Sequence, residues 1–339
     1  MKRRPAGLRR TVVLLLICAV LLAGGLVAVR LFDSSHYVET RGTVPEGFGT
    51  LRTVEYEGAT WREKPVVTTI LLAGIDQTET SSQSRLSASK YRQGGQADFL
   101  MLMAIDHTDK KIHRLMIDRD TMTDVAILGV FGNETGTRVL QICLAHYFGG
   151  TKQDNAKYTV KAVEKFLGGL EVNGYYMADY SAVSVLADTL GGVDVVIPDD
   201  MTPVDAGWTA GTPVKLKGKQ AESFVRARMS VGDGTNVSRM ARQTLFLDSA
   251  MPLLRKRLSE DLAFSNTIIG ALEPLAVTNF TRSWLISEVN QAYRYEVLPV
   301  ETLPGEHTVG KDGFVEFHAE AEAPVRWVLE HLYTKQTEE

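Results

Sequence analysis

Cysteine is almost missing from this chain: Cys18 and Cys143 are the only two among 339 residues. One lies in an apolar N-terminal run and the other stands alone in the globular part, so neither a disulfide framework nor a cysteine-based metal site is expected. The seven histidines show no HExxH or paired-ligand spacing, and His107 and His113, which flank a predicted turn, are read as surface residues. No internal repeat occurs. A cationic excess is missing as well. The net charge is −4, and Lys2, Arg3, Arg4, Arg9 and Arg10 crowd into the first ten residues, which leaves the remainder more acidic still. An acidic domain is a poor nucleic-acid binder. Any anionic ligand must therefore be held by a local cluster of basic side chains.

What is present begins with "TVVLLLICAVLLAGGLVAV" at 11–29, which carries no charge over 19 residues. That length crosses a bilayer as a helix, and the basic tail before it stays cytoplasmic. The run exceeds a usual signal-peptide core, and "GLVAVRLF" is a poor cleavage site. The reading is a basic cytoplasmic tail at 1–10, a transmembrane signal-anchor at 11–30, a spacer or peripheral segment at 31–64 and one extracytoplasmic α/β domain at 65–335.

Within the domain, "VVTTILLAGID" (66–76) has the length and apolar content of a buried strand ending at Asp76. The polar stretch 77–96 is a loop by composition. "DFLMLMAID" (98–106) and "KIHRLMID" (111–118) flank "HTDK", a hairpin in which paired residue numbers sum to 217. Asp98 then faces Arg119, with Asp120 beside them. Helices are predicted over 153–169, from Ser181 as cap to Gly191, and from Asn236 onward, the last perturbed by Pro252. "VDVVI" follows Gly191 as a strand, "GFVEFHAEA" is a later strand, and "PVRWVLEHLY" is a closing helix opened by Pro324. "SFVRARM" alternates, which predicts a strand with Arg226 and Arg228 on one face. On the long helix, Met240, Leu247, Met251 and Leu254 form an apolar stripe, while Arg239, Arg242, Gln243 and Phe246 share another face. Together the arginines and Gln243 make an electropositive pocket. Planar guanidinium forks are what a pyrophosphate or other polyanion needs.

The segments "ILLAGID", "ADFLMLMAID", "LMIDRDT", "AHYFGG", "LGGVDV", "VRAR" and "SRMARQ", in this order behind the apolar run, resemble the LytR-CpsA-Psr proteins of bacterial cell envelopes, over about 66–250. The resemblance implies a three-layer α/β/α domain with a central mixed sheet. It further implies Mg²⁺-assisted transfer (Mn²⁺ being possible) of a polyprenyl-pyrophosphate-linked glycopolymer, teichoic acid-like or capsule-like, onto peptidoglycan outside the cell membrane. Pyrophosphatase activity is a possible accompaniment. Carried over by motif, Asp98, Arg119 and Asp120 are the catalytic candidates. Arg119, Arg226, Arg228, Arg239, Arg242 and Gln243 are the pyrophosphate binders, and Asp76 and Asp98 the metal ligands. Asp98 stands open between metal ligand and base. The chain departs from the family pattern at Gln96-Ala97 (Arg-Ser in the family), Asp118 (Pro), Gln141 (Lys) and Asn236 (Asp). The missing positive charge at Gln141 keeps a second reading open, a non-catalytic polyprenyl-phosphate-binding assembly or regulatory protein.

Overall fold

The computed structural model describes residues 52–76, 94–129 and 133–336. The basic tail, the expected membrane segment 11–30, most of the spacer and nearly all of the expected loop 77–96 lie outside the described residues. Among the described residues no helix is long and apolar enough to cross a membrane.

The chain opens with β1 (Thr53–Tyr56), β2 (Ala59–Glu63), β3 (Val67–Asp76), β4 (Gln96–Asp106) and β5 (Lys111–Met116). Next come β6 (Met122–Leu128), β7 (Glu134–Gln141), a 3-10 turn at Ile142–Tyr147, α1 (Lys152–Phe166), β8 (Gly174–Asp179) and α2 (Ser181–Leu190). They are followed by β9 (Val193–Val196), β10 (Pro213–Leu216), α3 (Gly218–Arg226), α4 (Asn236–Glu260), α5 (Phe264–Leu272) and β11 (Ala276–Thr278). The chain closes with α6 (Arg282–Ala292), β12 (Glu296–Thr302), β13 (Gly305–Val309), β14 (Val315–Ala319), α7 (Ala323–Leu332) and β15 (Tyr333–Lys335). Residues 53–63, inside the expected spacer, belong to the fold: β1 and β2 pair as a hairpin, and β2 also pairs with β15.

The main sheet has the order β11-β8-β3-β4-β5-β12. β3 runs antiparallel to β4 and parallel to β8, and β5 runs parallel to β12, so the sheet is mixed, as expected. Its inner strands are nearly continuous apolar runs because both faces are covered. Leu71, Leu100, Leu102 and Leu115 turn to one face and pack with Val163 of α1 and Trp327 of α7. Ile70, Ile105 and Ile112 turn to the other, against Ala292 of α6 and Tyr295. Each such side chain, fully buried, is worth roughly 1.5–3 kcal/mol. A separate cluster, including Leu190, Phe224, Phe246 and Ile268, knits α2, α3, α4 and α5 together. The β4–β5 register is the expected one, with Met101 opposite Met116 and Asp106 opposite Lys111.

Local chemistry explains the helix ends. The Thr151 hydroxyl accepts from the Asp154 amide at 3.1 Å at the start of α1, a side-chain cap on an orphan N–H. Ser181 does not cap α2; the N-cap is Tyr180, and the Asp179 carboxylate before it accepts from the Ser181 amide at 2.8 Å. Gly191, at φ 89°, ends that helix in the left-handed region. Pro252 sits inside α4, which nevertheless continues to Glu260.

Three further sequence readings change. The segment predicted as an Arg226/Arg228 strand is helical up to Arg226, after which Ala227 turns extended at φ −53° and ψ 133°. Ala221, Glu222, Phe224 and Val225 bury one side of α3, and a seven-residue window read as alternation hides that helical spacing. On α4 the expected apolar stripe is only partly buried, and the face bearing Arg239, Arg242, Gln243 and Phe246 is the buried one. Those arginines find carboxylate or carbonyl partners inside, which makes their burial tolerable. His107 and His113 are not surface residues. The His107 ring meets Glu288 at 3.2 Å, and His113 is 9% exposed beneath the ring of His331.

Another histidine carries a pH dependence. His146, in the 3-10 turn, is buried with Nδ1 3.1 Å from the Thr159 hydroxyl of α1. Burial pushes its pKa down from 6.5 to about 4. The folded value lies below the unfolded one, so this contribution to stability is complete above the unfolded pKa and is lost as pH falls toward the folded pKa. Urea midpoints across that window should fall less steeply for His146→Gln than for the parent, by up to ~3 kcal/mol in total. Parallel acid limbs for the two proteins would refute the assignment.

Candidate active site

Asp98 owes its position to a β-bulge. Gly74 pairs with Phe99 but Ile75 pairs with Ala97, which leaves Asp98 as the extra residue of β4. A bulge re-aims side chains. Ala97 and Leu100 both stay in the core with α1, while Phe99 lines a groove beside α2 and α4. Gly74 permits the close approach: a Cβ there would stand 3.1 Å from Phe99 Cβ and 3.6 Å from the Tyr180 ring.

Arg119 arrives from the adjacent strand end. The β4–β5 ladder runs on to Ile117, whose amide donates to the Leu100 carbonyl at 2.9 Å. The chain then turns on Asp118. Its carbonyl accepts from the Thr121 amide at 3.1 Å and hydroxyl at 2.6 Å, and its carboxylate accepts from the Asp120 amide at 2.9 Å. An acid that ties its own following backbone makes such a turn rigid. Arg119 is thereby returned to Asp98, with Nη1 2.9 Å from Oδ1.

α4 supplies the second guanidinium, since Arg239 Nη1 donates to Asp98 Oδ2 at 2.8 Å. Asp120 lies between Arg119 Nε, 3.4 Å from Oδ1, and Arg228 Nη2, 3.7 Å from Oδ2. Asp98, Arg119, Asp120, Arg228 and Arg239 thus form one ion network. Arg226 and Asp76 form a neighbouring pair at 3.0 Å, and the Arg226 guanidinium lies 5.4 Å over the Tyr180 ring. Tyr180 joins the two groups, being within electrostatic reach of Asp98, Arg239, Asp76 and Arg119. Fully buried Arg242 reaches Asp199 at 3.4 Å and the Ala227 carbonyl. Gln243 donates to the Tyr180 hydroxyl at 3.3 Å.

The electrostatics are those of a buried cationic site. Burial opposes the charge of Arg119, but Cys143, Asp98 and Asp120 outweigh it and raise its pKa above the ordinary value. Burial lowers the pKa of Arg228 and of Arg242. Burial also raises the Asp120 pKa, with Arg119 pulling against it. The Cys143 thiol is pushed by burial up to about 11, and its sulfur accepts from Arg119 Nη2 at 3.1 Å. Arg119 Nε, Arg228 Nε, Arg242 Nε and Gln243 Oε1 are buried and make no hydrogen bond. Each such group costs about 1–3 kcal/mol, more when charged. Anionic oxygens are the acceptors that such guanidinium nitrogens lack.

An apolar groove of about 160 Å³ lies alongside, lined by Leu72, Phe99, Ala182, Leu186, Phe246 and Leu247. Gln243 and Tyr180 line it too, so the groove adjoins the arginine network. Asp76 and Asp98 are the carboxylates expected from the sequence to hold a divalent cation. Asp98 Oδ1 is held by Arg119 at 2.9 Å and Asp76 by Arg226 at 3.0 Å, so an ion there would share both carboxylates with arginines, as a hard cation that also takes phosphate oxygens can.

Several participants escaped the sequence reading. Tyr180, Cys143, Glu222 and Asp199 belong to no motif. His307, on the distant β13, meets Asp118 Oδ2 at 2.9 Å, and Asn236 donates to Asp118 Oδ1 at 2.7 Å. Asn236 Oδ1 in turn accepts from Arg239 Nη2 at 2.7 Å. A hydrogen-bonded chain thus runs from His307 through Asp118, Asn236 and Arg239 to Asp98. The only sequence signal for it was that Asp118 and Asn236 are unusual for the motif.

The LytR_cpsA_psr family model matches residues 52–323. The chain belongs to the LytR-CpsA-Psr family. It is similar to a polyisoprenyl-teichoic acid–peptidoglycan teichoic acid transferase, TagV of Bacillus subtilis, at 27% identity over 65% of this chain and 51% of the relative. A TagU of Bacillus mycoides bearing the same activity in its name is 26% identical over 62% of this chain and 64% of its own. The chain thus spans about half to two-thirds of the length of these curated relatives. The fold is similar to a crystal structure of B. subtilis TagV, with TM-score 0.59, 24% identity and coverage of 79% and 98% of the two chains. It is also similar to protein gbs0355 of Streptococcus agalactiae, with TM-score 0.61, 17% identity and coverage of 80% and 91%.

The departures from the LytR-CpsA-Psr pattern are all used. Gln96 Oε1 accepts from Arg119, and Gln141 donates to Asp120 Oδ1 at 3.1 Å and to the Val315 carbonyl at 2.6 Å. Asp118 and Asn236 bond each other, so these two departures act as one coupled change. Removing one guanidinium from buried Asp98 should be costly. Arg239→Met should lower unfolding stability by ~3 kcal/mol, and adding Asp98→Asn should restore much of it. Urea denaturation of the four proteins of this cycle measures the coupling, and additive effects would show that the pair contributes nothing.

Proposed function

We propose that this chain transfers a polyprenyl-pyrophosphate-linked glycopolymer, teichoic acid-like or capsule-like, to peptidoglycan. One observation carries the reading: buried guanidinium N–H groups without acceptors adjoin an apolar groove through Gln243 and Tyr180. A diphosphate carrying a hydrocarbon tail satisfies both halves at once. The relatives' names describe transfer of teichoic acid from a polyisoprenyl carrier to peptidoglycan, which supports the same donor and acceptor. The apolar run 11–30, read as a membrane anchor, supports an extracytoplasmic domain, where both are found.

In this reading the acceptor hydroxyl oxygen bonds to the phosphorus that bears the sugar. The bond from that phosphorus to the bridging oxygen breaks, and polyprenyl phosphate departs with the electron pair. Arg119, Arg228, Arg239 and Arg242 stabilise the charge that builds on the phosphoryl oxygens and the leaving group, which is where sites of this kind gain most of their rate. The two acids differ in environment. Asp98 is gripped at 2.9 and 2.8 Å by two arginines, which suits it to hold those arginines and, with Asp76, a Mg²⁺ ion (or Mn²⁺). Asp120 has looser contacts at 3.4 and 3.7 Å and a raised pKa, which suits Oδ2 to take the hydroxyl proton. A bound Mg²⁺ supplies further neutralisation of the diphosphate.

The test is incubation of purified protein with a polyprenyl-pyrophosphate glycan, wall fragments and Mg²⁺. Polymer should become attached to peptidoglycan, and Arg119→Ala or Asp98→Ala should lower the rate ~100-fold or more. Donor binding with no transfer and no diphosphate cleavage by folded protein would instead leave a non-catalytic carrier-lipid binder. Filling the groove separates tail from head. Ala182→Trp should weaken use of the lipid donor at least ~10-fold while leaving binding of a tail-less diphosphate unchanged. Equal loss with both ligands would remove the groove from the argument.

A further inference from the structure

On the sheet face opposite Arg114, a second cluster forms without any sequence spacing to announce it. His113 of β5, Glu301 of β12 and His331 of α7 place one ligand atom each within 4.8 Å of one another, the only such three-residue group among the described residues. His331 Nε2 is 3.0 Å from Glu301 Oε1. The His113 and His331 rings have centroids 4.7 Å apart and planes tilted by 22°. His113 is 9% exposed, and its Nδ1 is buried with no hydrogen-bond partner. An imidazole nitrogen buried and unpaired is costly, and the three residues come from three different elements. His113 pairs with Ala104 of β4, six residues along that strand from Asp98 and roughly 20 Å at strand spacing, so the cluster is separate from the arginine network.

We propose that His113, Glu301 and His331 form a site for a divalent transition-metal ion of the zinc class. Two imidazoles and one carboxylate are a zinc donor set, with a fourth position left for water. Mg²⁺ and Ca²⁺, which take oxygen ligands, are disfavoured there. Burial lowers the His113 pKa, which keeps the ring neutral as a ligand must be. Lys64, which acts on His113 through space, is itself held by Asp106 at 2.9 Å. Side-chain exposures of 19% for His331 and 41% for Glu301 leave the cluster open to entry on one side. The same freedom lets those two side chains rotate inward to bonds of about 2 Å. The ion ties α7 to two strands of the main sheet, holding the C-terminal helix in place. This site does not depend on the transfer activity proposed above.

The experiment uses the full chain, stripped with chelator and titrated with zinc chloride by calorimetry and by thermal melting. One zinc per chain and a rise in Tm of several degrees are expected, while the response to magnesium chloride is the same in the parent and in His331→Gln. His331→Gln and Glu301→Gln should each weaken zinc binding at least tenfold while leaving the metal-free Tm close to that of the parent. Anomalous scattering at the zinc edge from crystals of the parent protein locates the ion directly, whatever the fate of the variants. Absence of stoichiometric zinc, undiminished binding in both variants, or an ion found elsewhere overturns the proposal.

Discussion

The arrangement of the site rests on one carboxylate that cannot leave its place. Asp98 is the unpaired residue of a β-bulge and is bonded on both oxygens by guanidinium groups from two distant parts of the chain. An isolated carboxylate at 8% exposure is prohibitively costly unless paired. The converse holds for Arg239 at 4% exposure. Sheet and helix are therefore locked together by mutual need of charge compensation. Geometry at the site is set by that lock more than by any apolar contact.

Around this lock, acids come from the main sheet and arginines mostly from the helical side. Asp76, Asp98 and Asp120 sit at the ends of β3 and β5 or in the β4 bulge, whereas Arg226, Arg239 and Arg242 ride on α3 and α4. Carboxylates neutralise enough of the cationic field for the arginines to be buried, yet leave several N–H groups unanswered. Unsatisfied polarity of this kind is what functional sites commonly show. The groove beside it is apolar because the sheet face, α2, Val225 of α3 and Phe246 and Leu247 of α4 place no charged side chain there apart from Asp179 at the strand end.

Legibility from sequence followed the range of the interaction. The β4–β5 register was readable because a short turn and strict pairing leave one choice, and Asp98–Arg119 followed from it. The arginine face of α4 was readable from i, i+3, i+4 spacing. Spacing does not say, however, which face of the helix is buried. "SFVRARM" misled because a short helix and a short strand share an alternating appearance in so small a window. Tyr180, Cys143 and His307 were invisible, since each acts through a contact more than twenty residues away in sequence.

Taken alone, the sequence determined the residue types that can neutralise a diphosphate, the strand and helix carrying Asp98 and Arg239, and the family to which those motifs belong. These are local properties, written in spacing of a few residues and in side-chain chemistry. Only the tertiary structure decided that Asp98 is clamped from both sides, that Tyr180 and Gln243 join the charged network to an apolar groove, and that His113 meets His331 and Glu301. The physical reason is that burial and long-range pairing depend on how the sheet and helices pack, and the cost of an unpaired buried charge selects among packings only once the whole chain has folded.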